Sequence, residues 1–452
     1  MPDTVFREVE VAGRIVDVQV RDATVVAVGA LPRLPDAAVV DGRGGALLPG
    51  LHDHHLHLLA TAAAASSVDC GPGLRDRDDL AAALGSVPGA WVRGVGYHER
   101  TAGDLDRHVL DALVPDRPVR VQHRSGALWT LNSLALALVE HVLDDSPDVE
   151  RDAAGRPTGR LWRYDTRLRH ALADTPPDLA PLGRTLLSYG ITGVTDATPD
   201  LDGGAALLIG GLPQRVLLLG VPDHAALQPG LATGPRKLHL RDHDLPGLDE
   251  LTRTVAASHG RGRPVAVHCV TAEALVLTIA ALRAAGPLPG DRIEHAAVVL
   301  PGLTLELARL GVAVVTQPSF VHERGDDYLA EVEPGEQPFL YPYRSLLDAG
   351  IRVAPSSDAP HASPDPWQAI AAADRITTSG AVLGASERVD RTTVLAGYLS
   401  PAWDPGGSPR QVRPGADADL CLLHVPLAEA LAAAPENPVR LTMVAGRSYG
   451  FD

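Results

Sequence analysis

The feature that most restricts the fold is an alternation of short apolar strands and helical segments between residues 46 and 356. Helical segments lie between most of the strands, for example at 248–258, 272–285 and 303–310. Alternation with eight strands is typical of an α/β fold and predicts a (β/α)8 TIM-like barrel. The eight predicted strands span 46–48, 190–196, 215–219, 236–240, 264–268, 292–295, 312–317 and 352–356.

The spacing of the strands also predicts the domain organisation. The gap between strands one and two is too long for one crossover, so we expect an insertion at about 60–185. It contains strand-like stretches at 91–95 and 118–122 and a helical stretch at 132–140. Residues 1–45 and 396–452 both contain short strand-like runs. Because small isolated sheets are only marginally stable, we expect both ends to form one composite β-sandwich domain, with the barrel at 46–395.

Net charge and cysteine content exclude several classes of protein. The formal net charge of −16 argues against a nucleic acid or an anionic membrane as a partner. Cys70, Cys269 and Cys421 are scattered and lack CxxC spacing, as is typical of reduced thiols. The first residues lack the basic and apolar regions of a signal peptide, and the apolar run 56–68 is too short to span a membrane. We therefore expect a cytoplasmic protein.

Lys237 is the only lysine among the 40 Lys and Arg residues. This bias indicates that arginine serves wherever a permanent positive charge suffices. Lysine differs because its amine, with a pKa of about 10.4, can lose its proton. A neutral buried amine can react with CO2 to form a carbamate, and the two carbamate oxygens can bridge two metal ions. We interpret the single lysine in this chemical sense, with survival by drift as the alternative.

A histidine cluster closes the first predicted strand. His55 and His57 are two residues apart, so in an extended chain their side chains face the same way and can form one edge of a metal site. Asp53 lies on the same face, and we expect it to support the ligands. His52 and His54 face the other way and are predicted to be structural. A cluster of loop histidines without a metal is the alternative.

Three further polar residues close predicted strands. His268, His295 and Asp358 each follow an apolar run, on the edge where barrel enzymes hold their chemistry. A single such histidine is more often a hydrogen-bonded core residue. Together with the histidine pair and the single lysine, however, they indicate a metal centre.

These residues are embedded in longer motifs that resemble the amidohydrolase superfamily, in its amidohydrolase-3 branch of binuclear metal-dependent hydrolases with a carboxylated lysine. The resemblance covers nearly the whole chain. Its motifs are Asn132-Ser133 with Ala135-Leu136, Gly155-Arg156-Pro157-Thr158-Gly159, Gly193-Val194-Thr195-Asp196, Arg292-Ile293-Glu294-His295-Ala296, Gln317-Pro318, Tyr343-Arg344-Ser345-Leu346-Leu347-Asp348-Ala349-Gly350, Ser357-Asp358-Ala359-Pro360 and Pro414-Gly415-Ala416-Asp417-Ala418-Asp419-Leu420.

The resemblance implies a ligand set and a reaction. Two divalent metal ions are expected, with zinc as the expected identity, and Lys237 is expected to be N6-carboxylated by CO2. A metal-bridging hydroxide would attack the carbonyl carbon, and Asp358 would act as the catalytic residue by moving the proton to the leaving nitrogen. The implied metal ligands are His55, His57 and Asp358 at the more buried ion, His268 and His295 at the outer ion, and Lys237 between them.

Substrate contacts are predicted less directly, because the chain departs from the branch near the expected substrate position. An Asp-Gly segment usual after the lysine is absent from 238–244, a Gly-Asp pair is absent from 270–272, and a histidine is absent from 125–127. For each candidate residue, an exposed loop group or a packed aromatic is an equal alternative. The candidates follow predicted strands and are Tyr97, His123, Arg124, Trp129, Gln317, His322, Arg324 and Tyr328.

The preferred interpretation is a hydrolase of a C–N bond in a small non-peptide amide or cyclic amide. A deaminase or lactonase with the same metal ligands is one alternative, and a non-catalytic scaffold is another. The expected partner is a small-molecule substrate, with no nucleic acid and no membrane. Members of such families are often homo-oligomers, although no interface pattern in the sequence identifies one.

Overall fold

The computed structural model describes residues 3–71, 73–172 and 176–451. The chain divides into two compact units, one formed by the residues up to Leu58 together with those from Leu179 onward, the other by Leu59–Asp178. The second unit falls within the insertion predicted at about 60–185. The other predicted domain boundaries, at 45 and 395, stay predictions.

The strands of the described residues are mostly short. In chain order they are β1 (Thr4–Val11), β2 (Arg14–Arg21), β3 (Thr24–Gly29), β4 (Ala38–Asp41), β5 (Leu47–Pro49), β6 (Leu51–Leu56), β7 (Val68–Asp69), β8 (Val92–Tyr97), β9 (Val119–His123), β10 (Leu128–Leu131), β11 (Val149–Arg151), β12 (Pro157–Trp162), β13 (Ile191–Asp196), β14 (Arg215–Leu218), β15 (Leu231–Thr233), β16 (Arg236–Leu238), β17 (Val265–Cys269), β18 (Arg292–His295), β19 (Ala313–Thr316), β20 (Val353–Pro355), β21 (Leu420–Leu423), β22 (Val439–Val444) and β23 (Arg447–Gly450).

Helices connect most of these strands, and short 3-10 turns supplement them at Glu140–Val142, Gln337–Phe339, Ala372–Asp374 and Ala385–Glu387. The α-helices are α1 (Leu58–Ala65), α2 (Arg77–Gly85), α3 (Glu99–Ala102), α4 (Arg107–Leu113), α5 (Ser133–Val139), α6 (Asp165–Ala171), α7 (Ala180–Ser188), α8 (Gly203–Ile209), α9 (Leu248–His259), α10 (Ala272–Ala285), α11 (Leu303–Leu310), α12 (Pro318–Glu331), α13 (Arg344–Asp348), α14 (Pro366–Ala371), α15 (Arg391–Tyr398) and α16 (Leu427–Ala433).

Both ends of the chain contribute four-stranded sheets, with strand orders β3-β2-β1-β4 and β23-β22-β21-β5. Phe6, Val18, Leu420 and Met443 belong to one buried apolar cluster, so strands from the two ends share a core. The composite domain formed by both ends and its sandwich arrangement stay predictions.

The prediction for the first barrel strand was wrong. The stretch 46–48 corresponds to β5, which pairs antiparallel with β21 and belongs to the terminal sheet. The first parallel strand is β6 instead. The two strands are separated by Gly50, where a Cβ atom would lie 2.1 Å from the Thr192 side chain, so a residue without a side chain lets the chain pass from one sheet to the next.

The parallel strands form two sheets, β15-β14-β13-β6 and β16-β17-β18-β19-β20. The other seven predicted strands correspond to β13, β14 and β16–β20, whereas closure into one barrel is not confirmed. Between β15 and β16 lies Pro235, which has no N–H to offer the ladder. Strands β13, β18, β19 and β20 are buried along their length, as is typical of parallel strands covered on both faces.

The unit Leu59–Asp178 contains one six-stranded sheet with the order β11-β12-β10-β9-β8-β7. The stretches predicted at 91–95 and 118–122 correspond to β8 and β9, which pair in parallel. The predicted helix at 132–140 corresponds to α5, whose first turn is capped by the side chain of Asn132 accepting from the Ala135 N–H at 2.9 Å. Among the helices that the structure describes, none combines the length and apolar character needed to cross a membrane.

Gly190, immediately before β13, has a φ of +82°, and a Cβ atom there would lie 2.5 Å from Sγ of Cys421. We expect Gly190→Ala to lower the free energy of unfolding by about 3 kcal/mol, because a left-handed backbone and an overpacked core both cost stability. Gly262→Ala is the matched control, since Gly262 has a φ of +71° and open space around it. Urea unfolding should show a loss of only about 1 kcal/mol for this control; equal losses would contradict the packing argument.

Candidate metal centre

Three predicted ligands meet where β6 ends and the chain leaves β20. Oδ1 of Asp358 lies 3.5 Å from Nε2 of His55 and 3.2 Å from Nε2 of His57. One ligand atom from each of these residues lies within 4.8 Å of the others. This spacing is compatible with all three atoms binding one metal ion.

The environment of Asp358 fits a bound cation. Oδ1 of Asp358 is buried and accepts no hydrogen bond from any described residue. Asp358 also has a φ of +54°, a conformation that non-glycine residues adopt infrequently. Buried polar atoms are nearly always satisfied, so an unpaired carboxylate oxygen beside two imidazole nitrogens indicates that a metal ion completes the group.

Lys237, on β16, approaches the same point. Its Nζ atom lies 3.4 Å from Nε2 of His55, and the residue is only 8% exposed. Burial lowers the pKa of the Lys237 ammonium, although the carboxylates of Glu294 and Asp358 oppose this effect. The single lysine is therefore buried beside His55, in surroundings that favour its neutral amine.

His295 lies next to His55, and His268 lies next to His295. The ring centroids of His55 and His295 are 4.8 Å apart, and those of His295 and His268 are 4.5 Å apart. Nδ1 of His295 lies 3.9 Å from Oδ2 of Asp358. The structure therefore brings together all six residues predicted as ligands, although Lys237, His268 and His295 lie outside the tightest group of three.

Burial keeps these imidazoles uncharged. It lowers the pKa of His55 to about 3, and it also lowers the pKa values of His268 and His295. For Asp358, burial acts to raise the pKa, but the imidazoles of His57 and other nearby histidines outweigh it and hold the pKa well below its usual range. Neutral imidazoles and an ionised carboxylate are the forms that bind metals.

The Nδ1 atoms of His55, His57 and His295 contact oxygen acceptors, which directs Nε2 of each ring towards the centre. Nδ1 of His295 lies 2.9 Å from Oε1 of Gln317, and the Gln317 amide donates to Oγ of Ser356 at 2.9 Å. Nδ1 of His57 lies 3.3 Å from Oγ1 of Thr198. Gln317, predicted as a substrate contact, is thus buried behind His295 and acts as a positioning residue.

Sequence reasoning missed the role of Glu294. Its carboxylate contacts Nδ1 of His55 and accepts a hydrogen bond from Nε of Arg292 at 2.5 Å. All of these groups are nearly inaccessible to solvent. Two charged residues on the fully buried strand β18 were the available signal, because such residues are almost never buried without partners.

The other residues of the histidine cluster have supporting roles. Asp53 accepts hydrogen bonds from Oγ of Ser357 at 2.6 Å and from the backbone N–H of His55 at 3.2 Å. His52 contacts Oγ1 of Thr195 at 2.9 Å, and His54 contacts Oγ of Ser400 at 3.0 Å. These contacts agree with the structural roles expected for His52 and His54.

Three predicted substrate contacts lie on α12. Nδ1 of His322 donates to the carbonyl oxygen of Ile376 at 2.7 Å. The Arg324 guanidinium lies over the Phe320 ring at 4.2 Å, and the Tyr328 hydroxyl is 3.5 Å from that of Tyr341. Of the three, His322 is therefore committed to a structural contact.

The remaining four candidates belong to the unit Leu59–Asp178. Tyr97 is buried and donates to the carbonyl oxygen of Gly103, and Trp129 donates to Asp165 from within a core cluster. Both are therefore packing residues within their unit. His123 contacts Glu99 at 3.2 Å, and the backbone N–H of Arg124 donates to the carbonyl oxygen of Tyr97.

His98, Glu99 and His123 form a second group with metal-ligand spacing. Here the Nδ1 atoms accept backbone hydrogen bonds, from Arg100 N–H for His98 at 3.2 Å and from Ser125 N–H for His123 at 3.1 Å. The neutral tautomer then carries its proton on Nε2, which faces Glu99. This is opposite to the arrangement at His55, His57 and His295, so the group is better explained by a hydrogen bond from Nε2 of His123 to Glu99 at 3.2 Å, with Nε2 of His98 3.9 Å from the same carboxylate.

Comparison with known proteins decides the family. A family profile for the amidohydrolase-3 group, described as "Amidohydrolase family", matches residues 38–449. The chain belongs to the amidohydrolase family. The N-substituted formamide deformylase of Arthrobacter pascens is 27% identical over 86% of this chain and 85% of its own length.

Solved structures share the amidohydrolase fold with this chain. An uncharacterised metal-dependent hydrolase from Pyrococcus horikoshii superposes with a TM-score of 0.75 at 20% identity, over 93% of this chain and 97% of that chain. The N-isopropylammelide isopropylaminohydrolase of Burkholderia multivorans gives 0.55 at 18% identity, over 99% and 98%. Membership of the amidohydrolase family makes this chain a metal-dependent hydrolase that acts on C–N bonds other than peptide bonds.

We expect Glu294→Gln to weaken metal binding about 10- to 100-fold, because the amide removes the negative charge that orients His55. Metal content after dialysis against a graded series of chelator concentrations measures the change. Glu273→Gln, at the exposed start of α10, is the control and should retain the parent affinity. Unchanged metal retention in Glu294→Gln would show that Glu294 only neutralises Arg292.

Proposed function

We propose that this amidohydrolase cleaves the C–N bond of a small non-peptide amide or cyclic amide at a two-metal centre. The observation that carries the proposal is the position of Lys237. The only lysine of the chain is buried with its amine 3.4 Å from Nε2 of His55, among the other predicted ligands. A chain that needed only a buried cation there would not require lysine.

We assign His55, His57 and Asp358 to one divalent ion, His268 and His295 to a second, and carboxylated Lys237 to both. Nitrogen and oxygen donors of this kind suit zinc. When bound, such ions supply hydroxide at neutral pH and polarise the scissile carbonyl. Asp358, whose carboxylate would keep one oxygen on the ion, would take a proton on the other and return it to the leaving nitrogen.

We also infer that the two parallel sheets are the halves of one (β/α)8 barrel, with the terminal sheets as a β-sandwich. Backbone hydrogen bonds support the first inference at both seams. Lys237 N–H donates to Leu219 O at 3.1 Å, and Asp358 N–H donates to His55 O at 2.8 Å. In such a barrel the six ligands occupy the catalytic face.

The relatives support the type of bond that is broken and do not identify a particular substrate. The relative from Arthrobacter pascens is named for removal of a formyl group from N-substituted formamides, and the Burkholderia enzyme for release of an alkylamine. Both reactions break a C–N bond outside a peptide. We infer that this chain breaks the same type of bond. Its departures from the family motifs at 238–244 and 270–272 indicate a substrate pocket that differs from those of other members.

A deaminase or lactonase is the second candidate, since the same ligands can activate water for either reaction. A mononuclear deaminase would not need Lys237, so the number of metal ions per subunit separates it from the preferred function. A non-catalytic scaffold is disfavoured because scaffolds typically lose ligands, and all six residues are present here. Elemental analysis should therefore return two divalent ions per chain.

We expect Lys237→Arg to retain little metal, because a permanent cation would replace the amine that lies 3.4 Å from Nε2 of His55 and would repel the metal ions. Lys237→Ala should regain activity when short carboxylic acids are added, since their carboxylates can replace the carbamate. Metal analysis and rescue kinetics measure the two effects. Full metal content in Lys237→Arg would remove the carbamate from the proposal.

We expect Asp358→Asn to retain much of its metal but to lose about 100- to 10,000-fold in kcat, because the amide cannot accept the proton. The test measures amine release from a panel of N-acyl and N-formyl amines, and ring opening of cyclic ureides. Asp348→Asn, at the end of α13, is a carboxylate control remote from the ligands. A near-normal kcat in Asp358→Asn would discard the proton-transfer role.

A further inference from the structure

One face of α12 lies next to the metal centre and differs from the rest of the site in its chemistry. The helix begins directly after Gln317, which holds His295. Phe320, Arg324 and Tyr328 follow at intervals of four residues, so they share one face. This face is aromatic and carries a single cation.

Short contacts connect Arg324 to the ligands. Its guanidinium donates to the carbonyl oxygen of His361 at 2.5 Å. The His361 N–H in turn donates to the carbonyl oxygen of Asp358 at 2.8 Å, and the His361 ring lies 6.1 Å from that of His57. Arg324 is thus one residue away from the group that would hold the inner ion.

Arg324 forms no ion pair with a carboxylate in the described part of the chain, although its charge opposes the rise that burial causes in the pKa of the neighbouring Glu323. One of its N–H groups binds the His361 carbonyl, and its planar face rests on Phe320 at 4.2 Å. By contrast, the buried Arg292 is paired with Glu294, and the buried Arg375 donates to three backbone carbonyls. A partly buried cation beside a metal centre is unfavourable unless an anion compensates it.

The surroundings of Arg324 are flat and apolar. Tyr341 lies against both other aromatic rings, 5.6 Å from the centroid of Phe320 and 5.9 Å from that of Tyr328. Phe320 and Tyr341 belong to one buried cluster, and Tyr328 packs on it. An anion held by Arg324 would therefore be attached to an apolar or aromatic body.

We propose that Arg324 binds a carboxylate of the substrate, so that the substrate is an amide carrying this carboxylate on an apolar or aromatic body. The inference rests on the proposed function and adds its substrate class. Guanidinium binds a carboxylate through two parallel hydrogen bonds, and Arg324 keeps four of its five N–H donors for this purpose. Stacking on Phe320 holds the guanidinium plane in one orientation.

The competing explanation is that Arg324 only fixes the turn that follows Asp358. That role needs the single hydrogen bond to His361 and gives no preference for an anionic ligand. Binding of charged and neutral ligand pairs therefore separates the two explanations, whereas loss of activity alone does not.

The test measures binding by calorimetry to metal-loaded Asp358→Asn, which prevents turnover. The probes are phenylacetate, benzoate and N-acetylphenylalanine, each compared with its own carboxamide. We expect at least one carboxylate to bind about 10- to 100-fold more tightly than its carboxamide, as a charge-assisted pair predicts. In the double variant with Arg324→Leu, this ratio should fall below about threefold, and with Arg324→Lys it should be intermediate.

Arg253→Leu, on the exposed side of α9, is the control and should leave the ratio unchanged. Equal binding of every pair would overturn the proposal. A carboxylate preference that persists in Arg324→Leu would also overturn it, because the metal ions would then be the anion site.

Turnover of the same N-acyl pair by the unsubstituted enzyme separates this proposal from the proposed function. Hydrolysis of both members with equal kcat/KM, together with equal binding, would retain the amidohydrolase function and reject the Arg324 site. An Arg324-dependent binding preference without hydrolysis of any amide would retain the Arg324 site and reject the proposed reaction.

Discussion

Desolvation of a cluster of ionisable side chains constrains the rest of the structure. Four predicted ligands are each less than 9% exposed, and one of them, His55, contacts the other three, Lys237, His295 and Asp358. Removing such groups from water is unfavourable unless opposite charge and hydrogen bonds replace the lost hydration. Burial also disfavours the charged imidazole and ammonium forms, which leaves the lone pairs that bind cations.

The supporting residues follow from the same constraint. Glu294 places a negative charge between His55 and the otherwise uncompensated Arg292, so a single carboxylate both balances a buried guanidinium and orients a ligand. Burial alone would raise the pKa of Glu294, but the Arg292 guanidinium and the hydrogen bond from His55 hold it well below its usual range. Asp53 lacks a cation of this kind, and burial raises its pKa to about 7. The two carboxylates therefore ionise in different pH ranges although both are fully buried.

Much of this site could be predicted because its signals are local. A polar residue that closes an apolar strand is visible in the sequence, as at His268 and Asp358, and parallel strands bring such ends together. The partners of these residues are not local. The sequence alone predicts Gln317 as a substrate contact, because its contact with His295 depends on β19 lying beside β18. Similarly, Gly50 divides one apolar run into two strands that belong to different sheets.

The hydrogen bonds that join the two parallel sheets also assemble the metal centre. Asp358 N–H donates to His55 O and His57 N–H donates to Ala359 O, both at 2.8 Å, so three ligands are fixed by one seam. The positive φ of Asp358 follows from this junction, because the chain must turn at the end of β20 while its N–H remains bound to β6. Strain of this kind persists only where surrounding contacts enforce it. Formation of the ligand set and joining of the sheets are therefore one structural event, and loosening the seam would disperse His55, His57 and Asp358 together.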